Sequence, residues 1–184
     1  MTTTLVLGGT RSGKSRHAES LLRGHERVTY VATRSLPELG EDEDLAHRIR
    51  RHQARRPSGW RTVQSRDLTR CLIGSREPVL VDDIGDWLRG QLTDHRLWDS
   101  PDAARERLTT LSEELAVAAQ ALPYEVVLVT QDAAFREWPR EPRERLYLDL
   151  LGQVNHRLSA ASTHVHVVVA GRVLDLSGAP LVAP

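Results

Sequence analysis

The chain has 184 residues, with 25 Lys+Arg balanced by 25 Asp+Glu and a sequence pI near 7.1. A balance this even excludes the bulk positive field that marks nucleic-acid or anionic-membrane binders, and the length suits one domain, residues 1–184, with a substantial core. The single cysteine, Cys71, excludes an intrachain disulfide and fits a reducing cytoplasm. No apolar run approaches membrane-spanning length, and the N-terminus leads into a strand without a basic-then-apolar leader, so a cytoplasmic protein is expected.

The first element is the apolar run Leu5-Val6-Leu7, which runs into Gly8-Gly9-Thr10-Arg11-Ser12-Gly13-Lys14-Ser15. This is G-x-x-x-x-G-K-S between a strand and the helical stretch from His17 to Arg23, with Gly24 placed to cap the helix. A Walker A loop needs that strand–loop–helix context. Glycines let backbone N–H groups close around phosphate oxygens, and the helix N-terminus adds positive potential. Lys14 is expected at the β- and γ-phosphates, and the Ser15 hydroxyl on Mg²⁺. Lys14 is also the only lysine in a chain that otherwise uses arginine, so a compact ammonium is kept where a phosphate binder wants one.

A second β-rich run, Val28 to Thr33, ends in small residues. In an open α/β sheet, ligands gather at the carboxyl ends of strands, so Ala32, Thr33 and Arg34 are nucleotide-site candidates. An acidic run, Gly40 to Asp44, precedes a helix predicted from Leu45 to about Arg56 and stopped by Pro57. Its carboxylates suit a helix N-terminus better than a metal. On that helix Arg48, His52 and Arg55 fall at i, i+4 and i+7, flanked by Arg51 and Arg56. Such a face reads either as a solvated basic surface or as an anion-binding surface around a histidine. Nearby cations would lower the imidazole pKa and favour its neutral, nucleophilic form. A turn and short strand follow, from Arg56 to Val63, with Trp60 to bury.

Pro78 to Val81 is an apolar strand ending in Asp82-Asp83, the layout in which a strand-end acid helps place Mg²⁺. Asp83 suits the N-cap of a helix over Ile84–Leu92, which leaves Asp82 as the metal-side candidate. A long helix is predicted over 101–121, with Leu108, Leu111, Leu115 and Ala119 at core spacing. Then come a buried strand over 125–130, a loop over 131–142, a helix over 143–161, a strand over 164–171 and an edge strand over 173–176. His164 and His166 lie at i, i+2 without a third ligand and read as surface residues rather than a metal site. Strands alternating with helices predict one α/β domain around a mostly parallel sheet.

Together these residues resemble the bifunctional adenosylcobinamide kinase / adenosylcobinamide-phosphate guanylyltransferase family of cobalamin biosynthesis, over essentially the whole chain. The resemblance is carried by G-G-x-R-S-G-K-S at 8–15, R-H-A-E at 16–19 and Y-V-A-T at 30–33. It continues in R-I-x-x-H…R-P-x-x-W-x-T at Arg48, Ile49, His52, Arg56, Pro57, Trp60 and Thr62, and in Asp82, Trp87-Leu88, 127–130, Pro139, Arg145, Asp149, Gly152, Asn155 and 168–171. It implies a P-loop NTPase fold of the RecA-like kind, a three-layer sandwich. It also implies two activities: phosphorylation of adenosylcobinamide by a nucleoside triphosphate (ATP or GTP), and transfer of GMP from GTP through a guanylylated histidine, here His52, giving adenosyl-GDP-cobinamide. The resemblance extends the nucleotide site to Gln53, Arg55, Arg56 and Gln64, and implies Mg²⁺, a corrinoid substrate and a homotrimer. No nucleic acid and no membrane enter it.

Two departures bear on function. Gln64 stands where the family carries a glutamate associated with nucleotide binding. In the loop Gln131–Pro139, Ala134 and Arg136 replace two family glycines and their backbone freedom. That loop, with Phe135 and Trp138, is a candidate contact for substrate or a neighbouring subunit. The readings to be separated are the bifunctional enzyme, a relative with one activity or another acceptor, and a non-catalytic nucleotide-binding subunit.

Overall fold

The computed structural model of the chain describes residues 2–34, 43–132 and 139–182, and for residues 44, 45, 48, 49 and 52 the backbone alone. The elements in chain order are β1 (Thr3–Gly8), α1 (Lys14–Leu21), β2 (Thr29–Ala32), α2 (Glu43–Ala54), β3 (Arg61–Gln64), α3 (Leu68–Gly74) and β4 (Val79–Asp82). Then come α4 (Ile84–Asp94), α5 (Pro101–Ala121), β5 (Val126–Thr130), α6 (Pro142–Ala161), β6 (His164–Val169) and β7 (Arg172–Asp175). The strands form one sheet in the order β3-β2-β4-β5-β1-β6-β7, parallel throughout except for the antiparallel edge strand β7.

Burial on both faces explains the continuous apolar runs. Leu5, Val79, Val81, Val126 and Leu128 point to a core built with Leu68, Leu72, Trp87, Leu88, Leu108, Leu115, Tyr147 and Leu151 from α3 to α6. The alternate residues Val6, Leu80, Val127 and Val129 meet Ala18 of α1 and Leu22 at its C-terminal cap on the other side, together with Tyr30 and Trp60. The period-two side-chain direction of a strand thus divides each run between two helix layers, and the result is the three-layer α/β P-loop fold expected. Between β1, which feeds the glycine-rich loop, and β4, which ends in Asp82, lies β5.

Several boundaries differ from the sequence expectation. Gly24 does not cap α1: the helix stops at Leu21 with Leu22 at φ −101°, and the left-handed glycines among the described residues are Gly13 and Gly171. The strand expected to reach residue 171 ends at Val169, because Ala170 (φ 51°) and Gly171 (φ 75°) make a tight turn into β7. α2 starts earlier than predicted, so Glu43 and Asp44 form its first turn, as acidic residues at a positive helix end should. Asp83 caps α4 as predicted, its side chain accepting from the Asp86 backbone N–H at 2.7 Å.

The register brings the strand ends of the candidate residues level. Ala32 pairs with Asp82 on one side and with Gln64 on the other, and Asp82 pairs with Val129. The carboxyl edge of the sheet therefore carries the loop after Gly8, the Ala32-Thr33-Arg34 turn and the Asp82-Asp83 pair.

Candidate active site

The glycine-rich loop is wound tightly at two glycines for different reasons. Gly13 holds φ 102°, a conformation side chains resist, and its carbonyl accepts the first helical bond, from His17 N–H at 2.9 Å. At Gly8 the limit is space, since a Cβ there would lie 2.5 Å from Ser12 Oγ and 2.7 Å from the Val168 carbonyl oxygen. Arg11 takes the left-handed region at φ 59°. The loop closes on itself by Ser12 N–H to Gly9 O at 3.3 Å, and on the β6–β7 turn by Gly171 N–H to Ser12 O at 3.0 Å. Lys14 and Ser15 are the first two residues of α1, with the Lys14 N–H bonded to Ser12 Oγ at 3.3 Å.

Ser15 and Asp82, 67 residues apart, meet here: the Ser15 hydroxyl faces Asp82 Oδ1 at 3.4 Å. The other carboxylate oxygen accepts from the Tyr30 hydroxyl at 2.5 Å. Tyr30 is buried, and burial first, then the Asp82 charge, hold its phenol well above the ordinary tyrosine range, so it stays a donor. The Arg56 guanidinium lies over its ring, 3.3 Å from the centroid, and donates to Thr62 Oγ1 at 2.8 Å. Arg55 reaches α1, pairing with Glu19 at 3.2 Å. Burial raises the Glu19 carboxyl, with Arg55 opposing. Two of the arginines expected to surround a histidine are thus turned toward the P-loop helix and β2.

The expected His52 lies within α2, one turn before Arg55 and Arg56; its side chain, like that of Arg48, is outside the described residues. Gln53 is exposed on the same helix, and Gln64 is exposed at the end of β3. Ala32 is half-buried at the end of β2. Thr33 is buried, and its hydroxyl is engaged with the residue joining β4 to α4: it donates to the Asp83 carbonyl at 2.8 Å and accepts from the Asp83 N–H at 3.1 Å. Arg34 pairs with Asp86 at 3.0 Å. The loop residues Ala134, Phe135, Arg136 and Trp138 are outside the described residues.

Three residues went unassigned in the sequence reading: Glu19, Tyr30 and Asp86. Glu19 and Tyr30 sit inside the R-H-A-E and Y-V-A-T strings, and Glu19 lies one helical turn beyond Ser15, which is the signal available. Asp86 stands in the first turn of α4, where an acid is ordinarily read as a dipole partner. Burial, then the Asp83 charge, lift its carboxyl to about 6, against the opposing pull of Arg34, Arg89 and Lys14. Burial and the Asp82 charge raise Asp83 as well.

His166 departs from its surface reading. Its side chain is only 15 % exposed and its Nδ1 lies 3.0 Å from His17 Nε2 on α1. Burial and then the neighbouring His166 lower the His17 pKa. Among the described residues no group of three or more His, Cys, Asp or Glu is arranged to hold a metal ion, and no helix is long and apolar enough to cross a membrane.

Residues 4–176 match the family model described as cobinamide kinase / cobinamide phosphate guanyltransferase. The bifunctional adenosylcobalamin biosynthesis protein CobU of Escherichia coli strain K12 is 35% identical over 176 residues, covering 91% of this chain and 95% of that one. Its namesake in Salmonella typhimurium is 36% identical over 178 residues, with the same coverage of 91% and 95%. The corresponding protein CobP of Pseudomonas aeruginosa is 32% identical over 182 residues, covering 96% and 98%. Among solved structures, the P4 protein from bacteriophage phi6 in complex with ADP aligns at a TM-score of 0.42 and 16% identity, over 94% of this chain and 52% of that one. With a family model spanning nearly all of β1 to β7 and relatives matched along almost their whole length, the chain belongs to the cobinamide kinase / cobinamide phosphate guanyltransferase family of enzymes.

Proposed function

We propose that the protein phosphorylates the hydroxyl of adenosylcobinamide with a nucleoside triphosphate and then joins GMP to the resulting phosphate, giving adenosyl-GDP-cobinamide. The observation that carries this reading is the junction of Ser15 and Asp82 at 3.4 Å at the end of a P-loop, with the chain just beyond the end of α2 tied to the same helix by the Arg55–Glu19 pair. One arrangement of this kind has a phosphate cradle and a histidine-bearing helix side by side.

Ser15 Oγ and Asp82 Oδ1 are hard oxygen donors, and Mg²⁺ characteristically takes few protein ligands beside the substrate phosphates. These two residues would hold it, and it would neutralise phosphate charge. The loop N–H groups and Gly8 to Gly13 cradle the phosphates, and Lys14 draws off negative charge developing on the leaving oxygen. In the nucleotidyl step the His52 imidazole attacks the α-phosphorus of GTP. A P–N bond forms, the α–β P–O bond breaks and pyrophosphate departs. An oxygen of the cobinamide phosphate then attacks the same phosphorus, and the P–N bond breaks to return the imidazole. Ala32, Thr33, Arg34, Gln53, Arg55, Arg56 and Gln64 complete the nucleotide surroundings in this reading. A cytoplasmic location accords with the free Cys71. The homotrimer is tested by light scattering at micromolar concentration, where monomer alone would overturn it.

The decisive experiment is intact-protein mass with Mg²⁺ and GTP. One GMP should be added covalently, stable to alkali and labile to acid as a phosphoramidate is, and His52→Ala should abolish it. An absent adduct, or one that survives His52→Ala, removes the guanylyl-histidine step.

A further inference from the structure

The mechanism above gives the half-buried carboxylate of Asp86 no task. Asp82 has both oxygens engaged, by Ser15 and Tyr30. Asp83 is also committed, Oδ1 to the Asp86 N–H and Oδ2 to Gln131 Nε2 at 3.4 Å. Asp86, whose side chain is 21% exposed, pairs through Oδ1 with Arg34, its sole side-chain partner among the described residues. Arg34 follows β2 and Asp83 follows β4, whose ends are level, so these two bonds hold Asp86 at the carboxyl edge of the sheet that also carries the glycine-rich loop.

Asp86 also lines a cavity of about 170 Å³ beside α4, with Arg34, Arg66, Arg89, Gly90 and Thr93. Its walls are held from behind. Arg89 is gripped by Glu144 through two bonds of 2.8 Å and stacks 3.9 Å over Tyr147, and Arg66 is bonded by Asp94. Fixed guanidinium groups suit carbonyl, amide or phosphate oxygens. A Cβ at Gly90 would lie 2.4 Å from Arg66 Nε, so the missing side chain is what lets that guanidinium lie against α4.

Resting on the kinase reading, we propose that Asp86 is the catalytic base of phosphoryl transfer, and that the acceptor, an amide-rich alcohol, reaches it through this arginine-walled cavity. The acceptor O–H proton passes to the Asp86 carboxylate as the oxygen bonds to the γ-phosphorus. The bond from that phosphorus to the β,γ-bridging oxygen breaks, and the nucleoside diphosphate leaves with the charge that Lys14 faces. The groups around Asp86 are Asp83 at the helix cap, Arg89 on the same helix, Arg34 after β2 and Lys14 on α1.

The test measures transfer from a γ-labelled nucleoside triphosphate to cobinamide, with nucleotide affinity measured separately by titration with a non-hydrolysable analogue. Asp86→Asn should lower kcat about a hundredfold, the scale of a lost general base, with nucleotide Kd held within about twofold. Asp86→Glu should recover part of the rate. Thr93→Trp, which crowds the cavity, should raise the acceptor KM severalfold and spare kcat. If the parent phosphorylates cobinamide and Asp86→Asn keeps kcat within about threefold, the assignment of Asp86 is overturned while the functional reading stands. A nucleotide Kd that collapses with kcat also overturns it, because Asp86 would then act on the nucleotide site. An unchanged acceptor KM in Thr93→Trp overturns the cavity as the approach. A parent that phosphorylates no cobinamide overturns the functional reading, and this inference with it.

Discussion

The Tyr30 hydroxyl and the Asp82 carboxylate meet at 2.5 Å between adjacent parallel strands, and the Arg56 guanidinium lies on the same tyrosine ring. One buried phenol therefore sets the direction of the strand-end acid and anchors the chain just beyond α2. Tyr30→Phe keeps the ring and removes the donor. A lost hydrogen bond to a charged group costs about 1–3 kcal/mol, so urea unfolding should show a loss of about that size. The Mg²⁺ concentration needed for half-maximal phosphoryl transfer should rise as Asp82 loses its orientation. A variant with parental stability and parental Mg²⁺ dependence would remove Tyr30 from the site.

Lys14 opens α1 with its side chain half-buried at the mouth of the loop. Its replacement by alanine should cut phosphoryl transfer by at least about a hundredfold, the scale of removing one preorganised electrostatic contact. Circular dichroism and cooperative melting should be retained. Turnover near the parental rate would refute the phosphate assignment.

Gly8→Ala tests the packing that shapes the cradle. Its Cβ would meet the Val168 backbone oxygen at 2.7 Å, and backbone cannot swing aside as a side chain can. A destabilisation of about 1–3 kcal/mol is expected, typical of an overpacked interior, together with weakened nucleotide binding. Binding and melting both at parental values would show that the β6 end yields freely.

Asp86 gives a pH dependence of defined sign. Its carboxyl is raised to about 6 in the folded chain, whereas an unfolded aspartate titrates near 3.8. The folded state therefore binds the proton more tightly, and stability falls as pH rises from about 4 to about 6. Asp86→Asn should accordingly be more stable than the parent at pH 7, by about 3 kcal/mol, with most of the gain gone near pH 4. Urea midpoints for nucleotide-free protein at the two pH values measure this. A variant less stable at pH 7 would mean that the Arg34 pair outweighs the burial of charge.

Much of this molecule was legible from local pattern. The Walker A string lay between an apolar run and a helical stretch, and the structure places a strand, a left-handed Gly13 and a helix there because phosphate loops are built from contiguous residues. The α5 span and the Asp83 cap were readable for the same reason, since helical periodicity and capping involve residues within one or two turns. Helix and strand ends were read less well. Whether Gly24 or Leu22 ends α1 depends on how the chain must turn to reach β2, and the early stop of β6 depends on a hairpin that pairs it with β7.

Through-space partnerships were decided only by the tertiary structure. Nothing in the sequence separations of Tyr30 and Asp82 (52 positions) or of Glu19 and Arg55 (36 positions) says that the chain between folds away to leave them touching. Parallel strand order brings Tyr30 level with Leu80 and the turn beyond Ala32 level with Asp82, and burial then converts exposed-looking charges into a connected set. Asp86 makes the same point most plainly. In sequence it is one acid in a first helical turn. Only the packing of α4 against the strand-end edge, with Arg34 on one side and Asp83 beneath, removes enough water to raise its carboxyl. Contiguous chemistry is written along the chain; desolvation and convergence exist only once the sheet has put distant strand ends side by side.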